Sequence, residues 1–557
     1  MSIITRISAT KILAHHKSKI VLFFILLVAI IIRVPSLTWG LPFSDRLAWP
    51  YHPDEQKIIT GAQFFPGIIQ TNQDFRYPTF MHNSLGILSL PVKHLVSILP
   101  VDFNVGFYHI YLMGRIYSVI AGVGAIIIVY LFAKRLFDTS TGVLAATLTT
   151  FSLYHVQASA LATVDVMSSL LMIAFIFLAY LAIYDFQNLA SFAGAGIIFG
   201  LLLGTRYTGG IASIVFLVFY IDSIVRNIRG DSASEIVRKI VLDRRLWIFG
   251  LTTIFTFLLT TPGLLIFPSA LIESIAFEKN RLSQSYLPLT DFRTWKNLIR
   301  SFVDAIGVAI AVFALLGLIN YRSKQRVFHI AVFLMLSITV TMFGNSLMPR
   351  YLIMFIPVFS ILAAEVLMGI SRNHNHWIRK IGVVLILSVV LHALVYSLAG
   401  VITRFDETRI KAAYFIEEKI PKGSTIGIGY VSNQFGWRIH KWRQPYIRMR
   451  NYTEVDFTNE PEYIVLSSYD IDEITRALNS GLMTEDYLWP DEFDNWWYLH
   501  SSPSPTVFIT YVSLLFGEDY CLLSSFRSRI LAPIEFPPPD IIIYKKNLSE
   551  NNAGCHL

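Results

Sequence analysis

Apolar residues in this chain come in long blocks separated by short polar islands. Many blocks reach the roughly 20 residues that a helix needs to cross about 30 Å of hydrocarbon. Backbone groups in lipid must be hydrogen-bonded within their own segment, so each block is expected to be a helix. The pattern predicts about eleven spans, near 20–38, 112–133, 143–160, 166–184, 191–205, 208–225, 247–266, 301–320, 328–345, 351–370 and 379–400. The stretch 191–225 is interrupted only by Arg206-Tyr207-Thr208-Gly209-Gly210. One span would be too long for it, so two joined by a tight Gly-Gly turn are expected. After Gly400 the pattern changes. Arg409 to Ile420 reads as an amphipathic helix closed by Pro421-Lys422-Gly423, and Thr425–Tyr430, Tyr463–Ser467 and Ile541–Tyr544 read as strands. The fold class expected is a polytopic α-helical membrane protein with a small C-terminal α/β domain. Its parts are a basic arm at 1–19, a membrane domain at 20–400 with a long first external loop at 39–110, and the α/β domain at 401–557.

Composition agrees with the pattern. Of 557 residues, 54% are hydrophobic and 15% charged, against about a quarter charged in a soluble chain. The net charge of +8 does not point to nucleic acid, because the basic residues sit beside apolar blocks and carry a topology signal instead. Lys134 and Arg135, the run from Arg226 to Arg245, Arg322 to Arg326, and Arg372 to Lys380 fall in alternate loops together with the basic N-terminal arm. That bias places the N-terminus in the cytoplasm and the C-terminal domain outside, in a multi-pass protein of the cell membrane. Ile20 to Leu37 is long for a signal peptide and lacks its exit motif, so it is expected to be a retained span. Cys521 and Cys555 allow one bridge or two separate thiols. No P-loop, nucleophile elbow or zinc-type Cys/His cluster is present, and His52, His82 and His109 have no metal-ligand spacing.

On this topology the isolated charges surface on the external side: Asp54 and Glu55 after the first span, Asp165 after the third, Arg206 after the fifth, Lys279 and Arg281 after the seventh, and Arg350 after the ninth. Ionisable groups at the edge of a helical bundle are costly to insert and are functional candidates. Within Tyr51-His52-Pro53-Asp54-Glu55, Pro53 suits the first turn of a short helix, and Asp54 could take a proton from an attacking hydroxyl. A solvated acidic helix start is the plain alternative. Asp165 could cap the following helix, serve the site, or do both. Arg206 and Arg350 could hold a phosphate through charge-assisted hydrogen bonds, or snorkel toward headgroups. Lys279 and Arg281 read as surface residues.

These residues resemble the GT-C superfamily of membrane glycosyltransferases, in particular the bacterial and archaeal relatives of protein O-mannosyltransferases and of the lipid A aminoarabinose transferase. Arg33 followed by His52-Pro53-Asp54-Glu55 looks like the family opening, and Arg76-Tyr77-Pro78 is similar to its Tyr-Pro element. Gly114-Arg115, Leu136-Phe137 ahead of Gly142, and Ala162-Thr163-Val164-Asp165 fit in order. Gly200 to Tyr207 resembles a Gly-x-x-x-Gly-Thr-Lys-Tyr element with Arg206 in place of Lys, and Pro349-Arg350-Tyr351 through Pro357 resembles an Arg-Tyr-x(5)-Pro signature. The resemblance covers roughly 20–400 and the helix from Asp406 to Gly423. It departs from the family at Ala158 to Ala162, which are uncharged where a basic residue commonly precedes the second Asp, so it carries no donor-phosphate contact to that loop.

The resemblance implies transfer of a hexosyl or pentosyl group from a polyprenyl-phosphate carrier to an acceptor hydroxyl on the extracytoplasmic face, with inversion. Asp54 would be the general base, with Glu55 and Asp165 orienting the acceptor, holding the base or binding a divalent metal. Arg206 and Arg350 would bind the donor phosphate, and His52 and Tyr77 would contact substrate. The sequence requires no cofactor, and a lipid-linked donor needs no nucleotide-binding motif. The competing class is a transporter or flippase of lipid-linked glycans, which would place its charges near the midplane and often show internal repeats. The sequence names neither the sugar nor the acceptor, which could be protein, lipid or polysaccharide.

Overall fold

The computed structural model describes residues 2–41, 52–67, 69, 75, 77–98, 103–227, 233–285, 287–320, 325–343, 347, 349–405, 408–428, 453–455, 460–467, 520–527 and 541–546. The helices, in chain order, begin with α1 (Ser2–Arg33), α2 (Pro53–Gln63), α3 (Phe80–Ile98), α4 (Phe103–Leu136), α5 (Thr139–Thr150), α6 (Leu153–Ser159) and α7 (Val164–Tyr180). They continue with α8 (Leu189–Thr205), α9 (Ser213–Asn227), α10 (Ala233–Val241), α11 (Arg244–Thr260), α12 (Gly263–Ile266), α13 (Pro268–Ser285) and α14 (Phe292–Ile306). The last are α15 (Val308–Leu318), α16 (Arg326–Phe343), α17 (Pro349–Leu352), α18 (Ile356–Ser371), α19 (His376–Phe405) and α20 (Thr408–Lys419). Contacts divide the chain into two units, one of 1–37, 57–99 and 109–401, the other of 38–56, 100–108 and 402–557.

The chain is a polytopic helical membrane protein. Among the described residues, seven segments are long and apolar enough to cross a membrane: Ser18–Thr38, Tyr108–Leu136, Val164–Phe186, Tyr207–Arg226, Arg326–Phe343, Pro349–Ser371 and His376–Phe405. Each coincides with an expected span. The remaining expected spans take other forms. Leu189–Thr205 and Val308–Leu318 are shorter apolar helices, and α11 has 17 residues. The expected span at 143–160 is divided between α5 and α6, which part at Phe151 and Ser152. At 301–320 the break falls at Gly307, whose φ of 81° a Cβ-bearing residue rarely adopts.

Two sequence elements gain a packing reason in the first unit. Gly196, Gly200 and Gly204 form a stripe on α8 against which α11 lies. A Cβ on Gly200 would stand 2.6 Å from the Thr253 carbonyl oxygen, and one on Gly196 would stand 2.5 Å from that of Phe249. Helices in lipid pack through such small-residue stripes, where backbones approach closely. Between α8 and α9 the expected tight turn is a short 3-10 helix, Tyr207–Ala212, in which Gly209 sits against Leu202. On the side of the chain expected to face the cytoplasm, Asp138 caps α5 by accepting from the amides of Ser140 and Thr141, and also pairs with Arg372 at the end of α18.

The second unit contains a five-stranded sheet and α20. The strands are β1 (Thr425–Ile428), β2 (Thr453–Val455), β3 (Tyr463–Ser467), β4 (Tyr520–Phe526) and β5 (Ile541–Lys546), in the order β2-β1-β3-β5-β4. β1 is parallel to β2 and β3, whereas β5 is antiparallel to β3 and β4. Ala412, Ile416 and Ile420 recur at helical spacing and close a core with Ile426, Tyr463, Val465 and Ile543. The helix and three strands follow the sequence pattern; β2 and β4 were not anticipated. Cys521 on β4 is disulfide-bonded, and the chain's other cysteine, Cys555, lies outside the described residues.

Candidate functional site

The first unit brings Asp165, Arg206 and Arg350 together. Thr163 holds the N-cap position of α7, so Asp165 stands inside the first turn rather than capping the helix from outside. Its Oδ2 accepts the Thr163 hydroxyl at 3.0 Å, and its Oδ1 accepts Nη1 of Arg206 at 2.7 Å. The loop before it is fixed by close packing: a Cβ on Gly114 would lie 2.8 Å from that of Ala162. Arg206 follows α8 in extended conformation, with its amide still bonded to Leu202, so its side chain leaves the helix end toward α7. Both partners are buried. Such a pair is stable only when each charge is held by the other and by further hydrogen bonds.

Arg350 joins this pair through backbone and ring. Its carbonyl oxygen lies 3.5 Å from Nη1 of Arg206. The two guanidinium carbons lie 5.5 Å (Arg206) and 5.4 Å (Arg350) from the centre of the Tyr351 ring. Tyr351 is buried and stacked on Phe343 at 4.4 Å. Asp165 thus fixes one of two guanidinium groups that share the Tyr351 ring, and planar guanidinium donors are suited to carboxylate or phosphate oxygens.

The remaining candidates are distributed between the units. His52, Asp54 and Glu55 lie in the second unit, at the start of α2. Pro53 opens that helix, as the sequence suggested, and both acids stand in its first turn, where the helix dipole favours them. His52 and Glu55 are buried, while Asp54 is half-buried and its amide donates to His52 Nδ1 at 3.3 Å. Tyr77 belongs to the first unit and is half-buried, with the Lys57 ammonium 4.9 Å from its ring centre. Lys279 is exposed on α13. His82 is buried against Gly61, and among the described residues no group of three or more His, Cys, Asp or Glu side chains could hold a metal ion.

Several buried polar groups lie outside the candidate site residues; the sequence marked Arg33 and Arg115 only as family elements, and did not mark Arg404, His155 or Ser159. Arg33 is fully buried and donates to Ser159 Oγ at 3.1 Å, to the Ala29 and Thr150 carbonyls at 2.9 and 3.4 Å, and to His155 Nδ1 at 3.0 Å. Since Arg only donates, His155 accepts through Nδ1 and carries its proton on Nε2. Arg33 therefore ties α1 to α5 and α6. Arg115 donates to the Leu37 carbonyl at 2.7 Å. In the second unit, Arg404 at the end of α19 is buried with its guanidinium 4.8 Å from the Trp39 ring centre. His155 and Ser159 sit in an apolar stretch whose pattern gives no hint of a partner 122 or more residues away.

Residues 110–231 match the family model of dolichyl-phosphate-mannose-protein mannosyltransferases. The matched stretch contains Arg115, Asp165 and Arg206, and so both members of the buried pair. No curated protein shows significant sequence similarity to the chain. Among solved structures, the chain is similar to the oligosaccharyltransferase of Archaeoglobus fulgidus in its apo form, with 13% identity, a TM-score of 0.48 and coverage of 83% of this chain and 70% of that one. It is similar also to ArnT from Cupriavidus metallidurans bound to undecaprenyl phosphate, at 13% identity and a TM-score of 0.46 over 94% and 97% of the two chains. The arabinofuranosyltransferase AftD from mycobacteria gives 10% identity and a TM-score of 0.44 over 95% of this chain and 40% of that one. TM-scores below 0.5 leave these as likenesses only.

Proposed function

We propose that the chain is a membrane glycosyltransferase of the GT-C kind. It moves a hexosyl or pentosyl group from a polyprenyl-phosphate carrier to an acceptor hydroxyl on the extracytoplasmic face of the cell membrane. The observation that carries this reading is the buried Asp165–Arg206 pair beside Arg350, inside the stretch matched by the mannosyltransferase model. A carboxylate that fixes one guanidinium, beside a second on the same aromatic ring, suits a phosphate that gains charge as it leaves.

The reaction balances without a cofactor. Asp54 takes the proton of the acceptor hydroxyl, whose oxygen attacks the anomeric carbon from the face opposite the phosphate. The bond from that carbon to the phosphate oxygen breaks, and its electron pair stays on the phosphate held by Arg206 and Arg350. Phosphate is a good leaving group, so no general acid is required. Asp165 serves as a positioning residue for Arg206; Glu55 orients the acceptor or holds the base, Asp54, and His52 and Tyr77 contact substrate.

The test supplies labelled polyprenyl-phosphate sugars, carrying different hexoses and pentoses, to membranes holding wild type or Asp54→Asn. Transfer by wild type alone is the expected result. Equal transfer by both proteins would remove Asp54 as the base, and movement of intact carrier without transfer would favour a flippase.

A further inference from the structure

Two corners of the first unit are built alike. Asp243-Arg244-Arg245-Leu246-Trp247 and Asp291-Phe292-Arg293-Thr294-Trp295 share the pattern Asp-x-Arg-x-Trp. In each, the Asp is the N-cap of the helix that follows, accepting from the amide two residues on, at 2.9 Å from Arg245 and 2.8 Å from Arg293. In each, that same Arg turns back to grip the Asp carboxylate, its nearest contact being 2.8 Å. In each, the Trp indole donates to the carbonyl six residues earlier: Trp247 to Val241 at 2.8 Å, and Trp295 to Leu289 at 2.7 Å. The result is the same elbow twice, at the heads of α11 and α14.

Both elbows face outward. Trp247 and Trp295 are 60% and 43% exposed, and the flanking Leu242 and Phe292 are 63% and 78% exposed. From Trp247 an exposed apolar stripe runs down α11 through Leu251, Phe255 and Leu259, the face a spanning helix turns to lipid. Exposed Arg238, Lys239 and Arg244 surround the first elbow, and exposed Lys296 and Arg300 follow the second. An indole whose N–H is already bonded to a carbonyl can enter the headgroup boundary without losing a hydrogen bond. A guanidinium gripped by a carboxylate is likewise cheaper to bring there. Basic side chains beside it attract lipid phosphates.

We propose that the two elbows are interfacial anchors, each seated among phospholipid headgroups, one on either face of the membrane. The opposite placement rests on α11 crossing the membrane between them, and the face assigned to each rests on the orientation proposed above. The anchors account for α11 as a span despite its 17 residues, about 25 Å of helix, because the first elbow extends its reach into the headgroups.

The test places a cysteine at Leu242 or at Phe292 in the full chain, labels it with an environment-sensitive fluorophore, and reconstitutes the protein in phosphatidylcholine vesicles with phosphatidylglycerol. The unsubstituted chain controls for labelling of the native cysteines. Lipids spin-labelled at the headgroup are expected to quench both probes several-fold more than lipids labelled deep in the acyl chain. Quenching by neither lipid, or chiefly by the deep one, overturns the anchors. A membrane-impermeant thiol reagent is expected to reach the two positions from opposite sides. Reaching both from one side overturns the pairing, whereas opposite sides in the exchanged sense overturn only the orientation.

Discussion

Asp165 holds Arg206 at 2.7 Å, with side-chain exposures of only 7% and 8%. The pair joins the first turn of α7 to the end of α8, and Thr163 occupies the carboxylate oxygen that Arg206 leaves open. Two residues that the sequence offered as separate candidates are one electrostatic object. Arg206 owes its position to Asp165, so the two are expected to fail together in catalysis and in stability.

Removing one partner strands a buried charge. Arg206→Ala or Asp165→Ala is expected to cost about 3–5 kcal/mol, whereas the double replacement by leucine should cost much less than the sum of the single ones. Sugar transfer should be lost in all three. Thermal unfolding in detergent alongside a transfer assay checks this. A double variant as unstable as the sum of the singles would show that the pair is not coupled.

Tyr351 supports both guanidinium groups through its ring. Tyr351→Phe keeps the ring and should transfer sugar at close to the wild-type KM for the carrier. Tyr351→Leu loses about 1–2 kcal/mol of cation–π attraction and should raise that KM several-fold. Similar KM values for the two variants would place the effect in the hydroxyl instead.

The helical, membrane-spanning class was readable because hydrocarbon permits few alternatives, and residue order alone brought Asp165, Arg206 and Arg350 to one expected face. The direct bond between Asp165 and Arg206 was not readable. It depends on Arg206 leaving α8 in extended conformation, which depends in turn on the turn that Gly209 packs against Leu202. The break of 143–160 into α5 and α6 was hidden for a related reason. The stretch is apolar throughout, and its bend is held by groups such as Ser159 and His155 that answer to Arg33 far away in sequence. Likewise β2 and β4 take their place from pairing with β1 and β5, which no local pattern reveals.

The glycine stripe of α8 is the mechanical support of Arg206. A valine at Gly200 would drive its side chain into the Thr253 carbonyl and Thr256, and neither backbone can move without the other. Gly200→Val is expected to part α8 from α11, lowering stability by about 1–3 kcal/mol and displacing Arg206. Gly194, whose Cβ would meet nothing within 4 Å, should accept alanine without loss. Monodispersity and transfer activity of the two variants, compared side by side, test the contrast.

Asp138 offers a pH-dependent check away from the site. The hydrogen bond from Arg372, ahead of opposing burial and the Thr141 amide, holds its carboxyl below the ordinary 3.8. A carboxyl with a depressed folded pKa adds stability that is fully present above the unfolded value and is lost as pH falls through the folded one. Asp138→Asn keeps a good N-cap but loses the ion pair. The two side chains are 38% and 46% exposed, so solvent screening limits the difference to about 0.5–1 kcal/mol at pH 7. Unfolding of wild type and variant should therefore differ at pH 7, still differ at pH 5, and converge as pH falls through the depressed folded-state value. A difference that persisted in strong acid would assign the loss to the cap rather than to the charge.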